Sequence, residues 1–251
     1  MMADLLSKYY LRALELDVTY KCNMGCMQCN RALGVCPSQE MMTIEQIQKV
    51  LSESLSMAKP YQEIRVLGGE PTLHPQISKI VIALDWYRSQ VVESSISIWT
   101  NGHGERVKQE LKNLPAWMRI RVSHKKLKVG GDEFEPFLAA PIDYSGICLK
   151  DYNKGCSQIA IGKCGVGVSL YGIYVCPVAA AIDRVVGLDI GIRNLTEISS
   201  ERLREQCGQL CRYCGHFLKD NGLILPIKTV SDTWRMLIKR YKKRRSELTL
   251  Y

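Results

Sequence analysis

Cys22, Cys26 and Cys29 stand in the order C-x3-C-x2-C directly after an apolar run. Thiolates at this spacing fit one short loop and can hold three irons of a [4Fe–4S] cluster. Clusters that store or relay electrons usually have four cysteine ligands. A cluster held by three leaves one iron free to bind a substrate or cofactor. The loop is therefore the expected starting point of the chemistry.

Six further cysteines form a separate group: Cys156, Cys164, Cys176, Cys207, Cys211 and Cys214. The stretch from Cys164 to Cys176 reads as a hairpin with a cysteine at each end. Tyr171-Gly172 is its expected turn, since glycine tolerates positive φ. Cys207-x3-Cys211-x2-Cys214 returns later in the chain to close the site. The expected ligands of this four-thiolate cage are Cys164, Cys176, Cys211 and Cys214. Cys156 is the first substitute and Cys207 the second. A Zn²⁺ ion with four cysteine ligands uses the same thiolates. Cys36 and Cys148 have no partner at ligand spacing and read as buried thiols.

These residues need elements to hold them. Residues 11–18 alternate weakly and read as a first strand. Thr43 and Gln46 have the look of a capping box. Ile44, Ile47, Val50, Leu51 and Leu55 follow at helical spacing, predicting a helix over 44–57. Residues 63–67 read as a short strand that delivers Gly68 and Gly69. His74-Pro75 opens a second helix carrying Ile77, Ile80, Val81 and Leu84, with proline at its first position. A third strand, 94–99, ends in Thr100-Asn101-Gly102. A helix over 105–114 and a fourth strand over 120–123 follow.

Strand, loop and helix in repetition predict parallel βαβ units. In barrels of such units, ligands gather at the C-terminal ends of the strands. The cysteine loop, Gly68–Pro71, Thr100–Gly102 and Ser123 all fall at strand ends. The alternation fades after about residue 125.

The C-x3-C-x2-C loop followed by Gly68-Gly69-Glu70-Pro71 resembles the radical S-adenosylmethionine (SAM) superfamily. The resemblance covers residues 11–125 well and the later part more loosely. It implies an α/β fold: a partial (β/α)6 TIM-like barrel over 1–150. It also implies that the open iron chelates SAM, and that an electron from the cluster cleaves it to a 5′-deoxyadenosyl radical. Gly68, Gly69, Glu70 and Pro71 become the expected SAM contacts, joined by Asn101 and Ser123 at the rim. Gln28 stands where the family usually has an aromatic near the adenine, and would hydrogen-bond the adenine edge. His124, Lys125 and Lys126 follow Ser123, where the family often has an acidic residue.

The second cysteine group resembles the auxiliary-cluster extensions called SPASM and twitch, implying a second [4Fe–4S] cluster in a small domain over 151–218. That domain would be a β-hairpin plus helix, followed by a basic helical tail over 219–251. His216 would donate a hydrogen bond near its cluster, and Asp183-Arg184 would pair beside it. An auxiliary cluster implies an oxidative outcome, such as dehydrogenation or a crosslink. The first expected substrate is a peptide. A small molecule (sugar, amino acid or cofactor precursor) follows closely, and RNA further behind. A reductant such as flavodoxin or ferredoxin is the implied partner. The rival of another class is a non-enzymatic iron–sulfur or zinc protein.

Composition bounds these readings. The chain has 251 residues, 46% of them hydrophobic, and 11 cysteines. No apolar run approaches the roughly 20 residues of a membrane span. No secretory signal is visible at the N-terminus, so the cysteines are expected to bind metal in a reducing cytoplasm. Of the net charge of +9, residues 219–251 carry +6. The remainder is nearly balanced, which argues against a nucleic-acid surface spread over the whole body. Within the tail, Trp234, Leu237, Ile238 and Tyr241 mark the apolar side of an amphipathic helix. It is expected to dock on the core with its basic side in solvent.

Overall fold

The computed structural model describes residues 12–123, 136–144, 151–220 and 222–251. Cys148, His124, Lys125 and Lys126 lie outside them.

The centre is a six-stranded sheet in the order β4-β3-β2-β1-β5-β6. Its strands are β1 (Ala13–Thr19), β2 (Glu63–Gly68), β3 (Ser95–Thr100), β4 (Arg119–Val122), β5 (Val166–Ser169) and β6 (Gly172–Tyr174). β1 to β5 run parallel, and β6 returns antiparallel to β5. The side chains of β1 alternate faces. Leu14, Leu16 and Val18 are fully buried with Ile64, Val66, Ile96 and Ile98. Glu15 and Asp17 occupy the opposite face, in register with Arg65 and Leu67.

Helices α1 (Ile44–Ser56) and α2 (Ile77–Gln90) follow β1 and β2. α1 has the expected capping box: Gln46 N–H donates to Thr43 Oγ1, and Thr43 N–H donates to Gln46 Oε1. Its buried face is Ile44, Ile47, Val50 and Leu51. α2 starts later than expected, so Pro75 is not its first residue. Gln76 N–H donates to His74 Nδ1 at 3.1 Å, which makes the His74-Pro75 pair the turn into the helix. α3 (Glu105–Lys112) precedes β4.

The hairpin between Cys164 and Cys176 is present, but it does not open a separate layer. β5 pairs with β1 and extends the first sheet. The reason is that Val166 and Val168 are fully buried and continue the core beyond β1. The turn is Leu170-Tyr171, since Ser169 pairs with Gly172. Gly172 has φ of 125° with the Ile192 carbonyl oxygen 2.8 Å from where a Cβ would sit, so its freedom serves that close approach. Among the described residues the sheet is open from β4 to β6, which departs from six successive βα units.

Three longer helices follow among the described residues: α4 (Pro177–Val186), α5 (Ser200–Leu210) and α6 (Asp232–Lys243). α6 docks as expected, with Trp234, Leu237 and Tyr241 buried. Burying a leucine such as Leu237 contributes about 1.5–3 kcal/mol. No helix among the described residues is long and apolar enough to cross a membrane.

Candidate metal and cofactor site

The cysteine loop leaves β1 at its C-terminal end. Cys26 is buried, while Cys22 and Cys29 are half-exposed. Tight turns shape the loop: Cys29 N–H donates to the Cys26 carbonyl at 3.2 Å, and Ala32 N–H to the Cys29 carbonyl at 2.7 Å. The Met24 N–H donates to Cys22 Sγ at 3.4 Å. Hydrogen bonds to sulfur suit a thiolate and tune a bound cluster.

The strand ends meet this loop closely. The Lys21 carbonyl oxygen lies 2.3 Å from where a Cβ on Gly69 would sit. Only glycine permits that approach. Gly69 N–H donates to Thr19 O at 2.7 Å, and Glu70 N–H to Lys21 O at 2.8 Å. Asn101, at the end of β3, reaches across: its Nδ2 donates to Asn23 Oδ1 at 2.8 Å and lies 3.8 Å from Cys22 Sγ. The Asn23 amide donates to the His103 carbonyl at 2.6 Å. The loop, Gly68–Pro71 and Thr100–Gly102 therefore share one rim. Ser123 closes that rim at β4, its hydroxyl donating to Thr100 O at 3.0 Å.

Two expected SAM contacts face elsewhere. The Glu70 carboxylate is fully buried. It accepts from Thr72 Oγ1 at 2.7 Å, Thr100 Oγ1 at 2.8 Å and Asn101 N–H at 2.7 Å. These bonds lock β2 to β3 from behind the rim. Gln28 is also buried. Its amide donates to the Ile227 and Thr229 carbonyls at 2.7 and 2.9 Å and accepts from Leu138 N–H at 2.9 Å. It anchors the cysteine loop to two remote segments.

Sequence reasoning missed a buried ion pair behind the loop. Arg31 grips Asp17 with both its Nε and an Nη, at 3.0 Å each. Burial pushes Asp17 above its ordinary range and the Arg31 guanidinium pulls it back. The acidic residues in an otherwise apolar β1, Glu15 and Asp17, were the available signal. Glu15 accepts from Arg65 at 2.8 Å and from Gly165 N–H at 2.6 Å, which ties β2 and the start of the hairpin to β1.

Asp183 and Arg184 do not pair. Asp183 accepts from Tyr174 Oη and from the backbone N–H groups of Leu188, Asp189 and Ile190. Arg184 is buried between the rings of Tyr20 and Tyr241, 4.7 and 5.2 Å from their centroids. It donates to the Arg31 and Cys36 carbonyls at 3.0 and 2.9 Å. Adjacent on α4, the two side chains serve different loops. Cys36 is fully buried, and burial pushes its thiol up to about 11, in keeping with an inert core thiol.

The second cysteine group converges. Cys156, Cys164, Cys176, Cys211 and Cys214 line one cavity of about 270 Å³, with His216 and Asn30 on its wall. Cys207 is fully buried, bonds through its thiol to Cys211, and is not among the lining residues. Burial, then the Glu15 carboxylate and the Cys156 thiol, push Cys164 up to about 12, and burial with neighbouring thiols raises Cys176 and Cys214 as well. Such a donor set stays neutral unless a cation enters, and metal binding is what deprotonates it. A Zn²⁺ ion needs all four sulfurs about 2.3 Å from one point. No three such donors are gathered that tightly among the described residues. The thiols stand around a shared space.

The family described as a 4Fe-4S single cluster domain matches residues 17–126. That stretch runs from the end of β1 through the cysteine loop and past β4. A GTP 3′,8-cyclase of Actinobacillus succinogenes is 32% identical over 134 residues, 51% of this chain and 34% of the relative. A probable GTP 3′,8-cyclase of Methanococcus maripaludis is 28% identical over 131 residues, 49% of this chain and 42% of the relative. The cysteine loop and the rim glycines Gly68 and Gly69 lie inside the matched stretch. This chain spans less than half the length of those curated relatives. Among solved structures, BtrN in complex with AdoMet and 2-DOIA gives a TM-score of 0.49 at 15% identity, covering 80% of this chain and 92% of that one. Streptococcus suis SuiB bound to S-adenosylmethionine gives 0.36 at 18% identity, covering 48% and 26%.

Proposed function

We propose that the chain is a radical SAM enzyme that oxidatively modifies an organic substrate, with a peptide as the first candidate. The observation that carries this is the shared rim: three cysteines on one loop, braced by Asn101 and by glycines that let the strand ends close on Cys22. When bound, a reduced [4Fe–4S] cluster with SAM on its open iron supplies a 5′-deoxyadenosyl radical that takes a hydrogen atom from the substrate.

This chain's own residues do the positioning. Cys22, Cys26 and Cys29 hold the cluster. The backbone of Gly68–Pro71, with Asn101 and Ser123, lines the SAM pocket. Glu70 and Gln28 keep that rim and loop in place from behind. Cys164, Cys176, Cys211 and Cys214 hold a second [4Fe–4S] cluster, and Cys156 is the spare thiol. Such a cluster is suited to accept the electron a substrate radical gives up, which favours dehydrogenation or crosslinking.

At the sheet edge, β4 is exposed on both faces among the described residues. Trp99 is 42% exposed there, and Arg119 and Arg121 are exposed beside it in register. An open side of this kind suits an extended substrate such as a peptide. A second reading, a small molecule, rests on the relatives named GTP 3′,8-cyclases.

The test uses a Cys176→Ala variant, which isolates the first cluster. Adding SAM to the reduced variant should shift its electron paramagnetic resonance signal. An unchanged signal at full first-cluster loading would contradict the proposal.

A further inference from the structure

Among the described helices, α6 and the residues after it carry a strong basic excess. Lys239, Lys242, Lys243 and Arg245 are exposed, and none forms an ion pair with a described residue. Met236, 66% exposed, sits among them one turn before Lys239 and Arg240. An apolar centre with a charged rim is the make-up of a transient protein interface.

The opposite face of the same helix packs against the segment that follows the cysteine loop. Tyr241 is buried, accepts from Arg184 at 2.5 Å and donates to the Pro37 carbonyl at 3.4 Å. Arg184 in turn holds the carbonyls of Arg31 and Cys36. The segment entering α6 touches the loop as well, because Gln28 donates to the Ile227 and Thr229 carbonyls. One layer of side chains thus separates an exposed basic face from the backbone of Arg31, two residues after Cys29.

We propose that the basic face of α6 is the docking surface for an acidic one-electron carrier protein, which reduces the first cluster through the short path behind Tyr241 and Arg184. This rests on the proposed radical SAM function. In the step, a reduced flavodoxin gives one electron to the cluster, passing from hydroquinone to semiquinone, and the cluster is reduced by one electron. Charge complementarity chooses this occupant: opposite charges steer such encounters and speed them at low salt. RNA would be drawn by the same charges, but the contact of the segment entering this helix with Gln28 of the cluster loop serves electron entry and has no use in RNA binding.

The test is carried out on the full chain with both clusters loaded. A Lys239→Glu, Lys242→Glu, Lys243→Glu triple variant is compared with the parent, along with the milder triple Lys→Gln variant. Stopped-flow absorbance follows cluster reduction by an acidic flavodoxin, and by dithionite as a small-molecule reference. At low salt the charge-reversed variant should lose about tenfold or more in flavodoxin rate, with the glutamine variant between it and the parent. The parent's rate should fall as salt rises. Dithionite rates and iron content should match the parent. Equal flavodoxin rates in parent and variant overturn the proposal, and so does a variant that loses RNA binding while its flavodoxin rate stays unchanged. A parent whose dithionite-reduced form cleaves no SAM overturns the function reading, and this proposal with it.

Discussion

The Glu70 carboxylate accepts the Asn101 backbone N–H at 2.7 Å, joining the end of β2 to the end of β3 beneath the cysteine loop. Asn101 in turn contacts Asn23 and Cys22. Glu70 therefore reaches the cysteine loop through Asn101.

Replacing it tests that chain of contacts. Glu70→Gln puts an amide NH₂ where only acceptors fit, against the Thr72 and Thr100 hydroxyls and the Asn101 N–H. Losing such a buried arrangement costs about 1–3 kcal/mol. Denaturant unfolding of the anaerobically reconstituted protein should show that loss. Parent-like stability would mean the carboxylate is no brace.

Gln28→Ala removes one side chain that satisfies Leu138 N–H and two carbonyls. The same range of about 1–3 kcal/mol applies. SAM affinity should change little, because Gln28 does not face the rim. A large loss of SAM binding in a variant of normal stability would return Gln28 to the adenine.

His74 sets a pH dependence. Burial holds it below its usual value of 6.5. Its Nδ1 accepts from Gln76 N–H, and Nε2–H donates to the Met42 carbonyl at 3.0 Å. The unfolded chain binds the proton more readily, so this stability is full above about pH 6.5 and lost as pH falls below it. Thermal unfolding of the parent between pH 7.5 and 5.5 should show the decline, with a shallower one in His74→Gln. Parallel profiles for the two proteins would contradict the assignment.

Much of this was legible from local pattern. β1, α1 and β2 follow from alternation, a capping box and helical spacing, all contained within their own segments. The three cysteines and the two glycines of the rim were legible because cluster ligation and close backbone approach demand those residue types. The pairing of β5 with β1 was not, since an apolar strand carries no mark of its neighbour. The roles of Glu70 and Gln28 were hidden for a related reason. A polar residue beside a site announces chemistry, but only the fold decides whether it faces the ligand or the protein behind it. The buried pair Asp17–Arg31 spans a loop, where periodicity has no reach.

The cysteine assignments separate by iron content. Cys176→Ala or Cys214→Ala should hold about four irons per chain against about eight in the parent, and should still cleave SAM. Cys156→Ala should keep the full complement. Iron loss in Cys156→Ala with full iron in Cys164→Ala would exchange the ligand and the spare.

The most direct measurement is 5′-deoxyadenosine released by the reduced, iron-loaded chain in the presence of SAM, read beside Cys26→Ala. The parent should form it and the variant should not. A fully loaded parent that forms none, or a Cys26→Ala variant that still does, would contradict the assignment of Cys22, Cys26 and Cys29 as the seat of the chemistry.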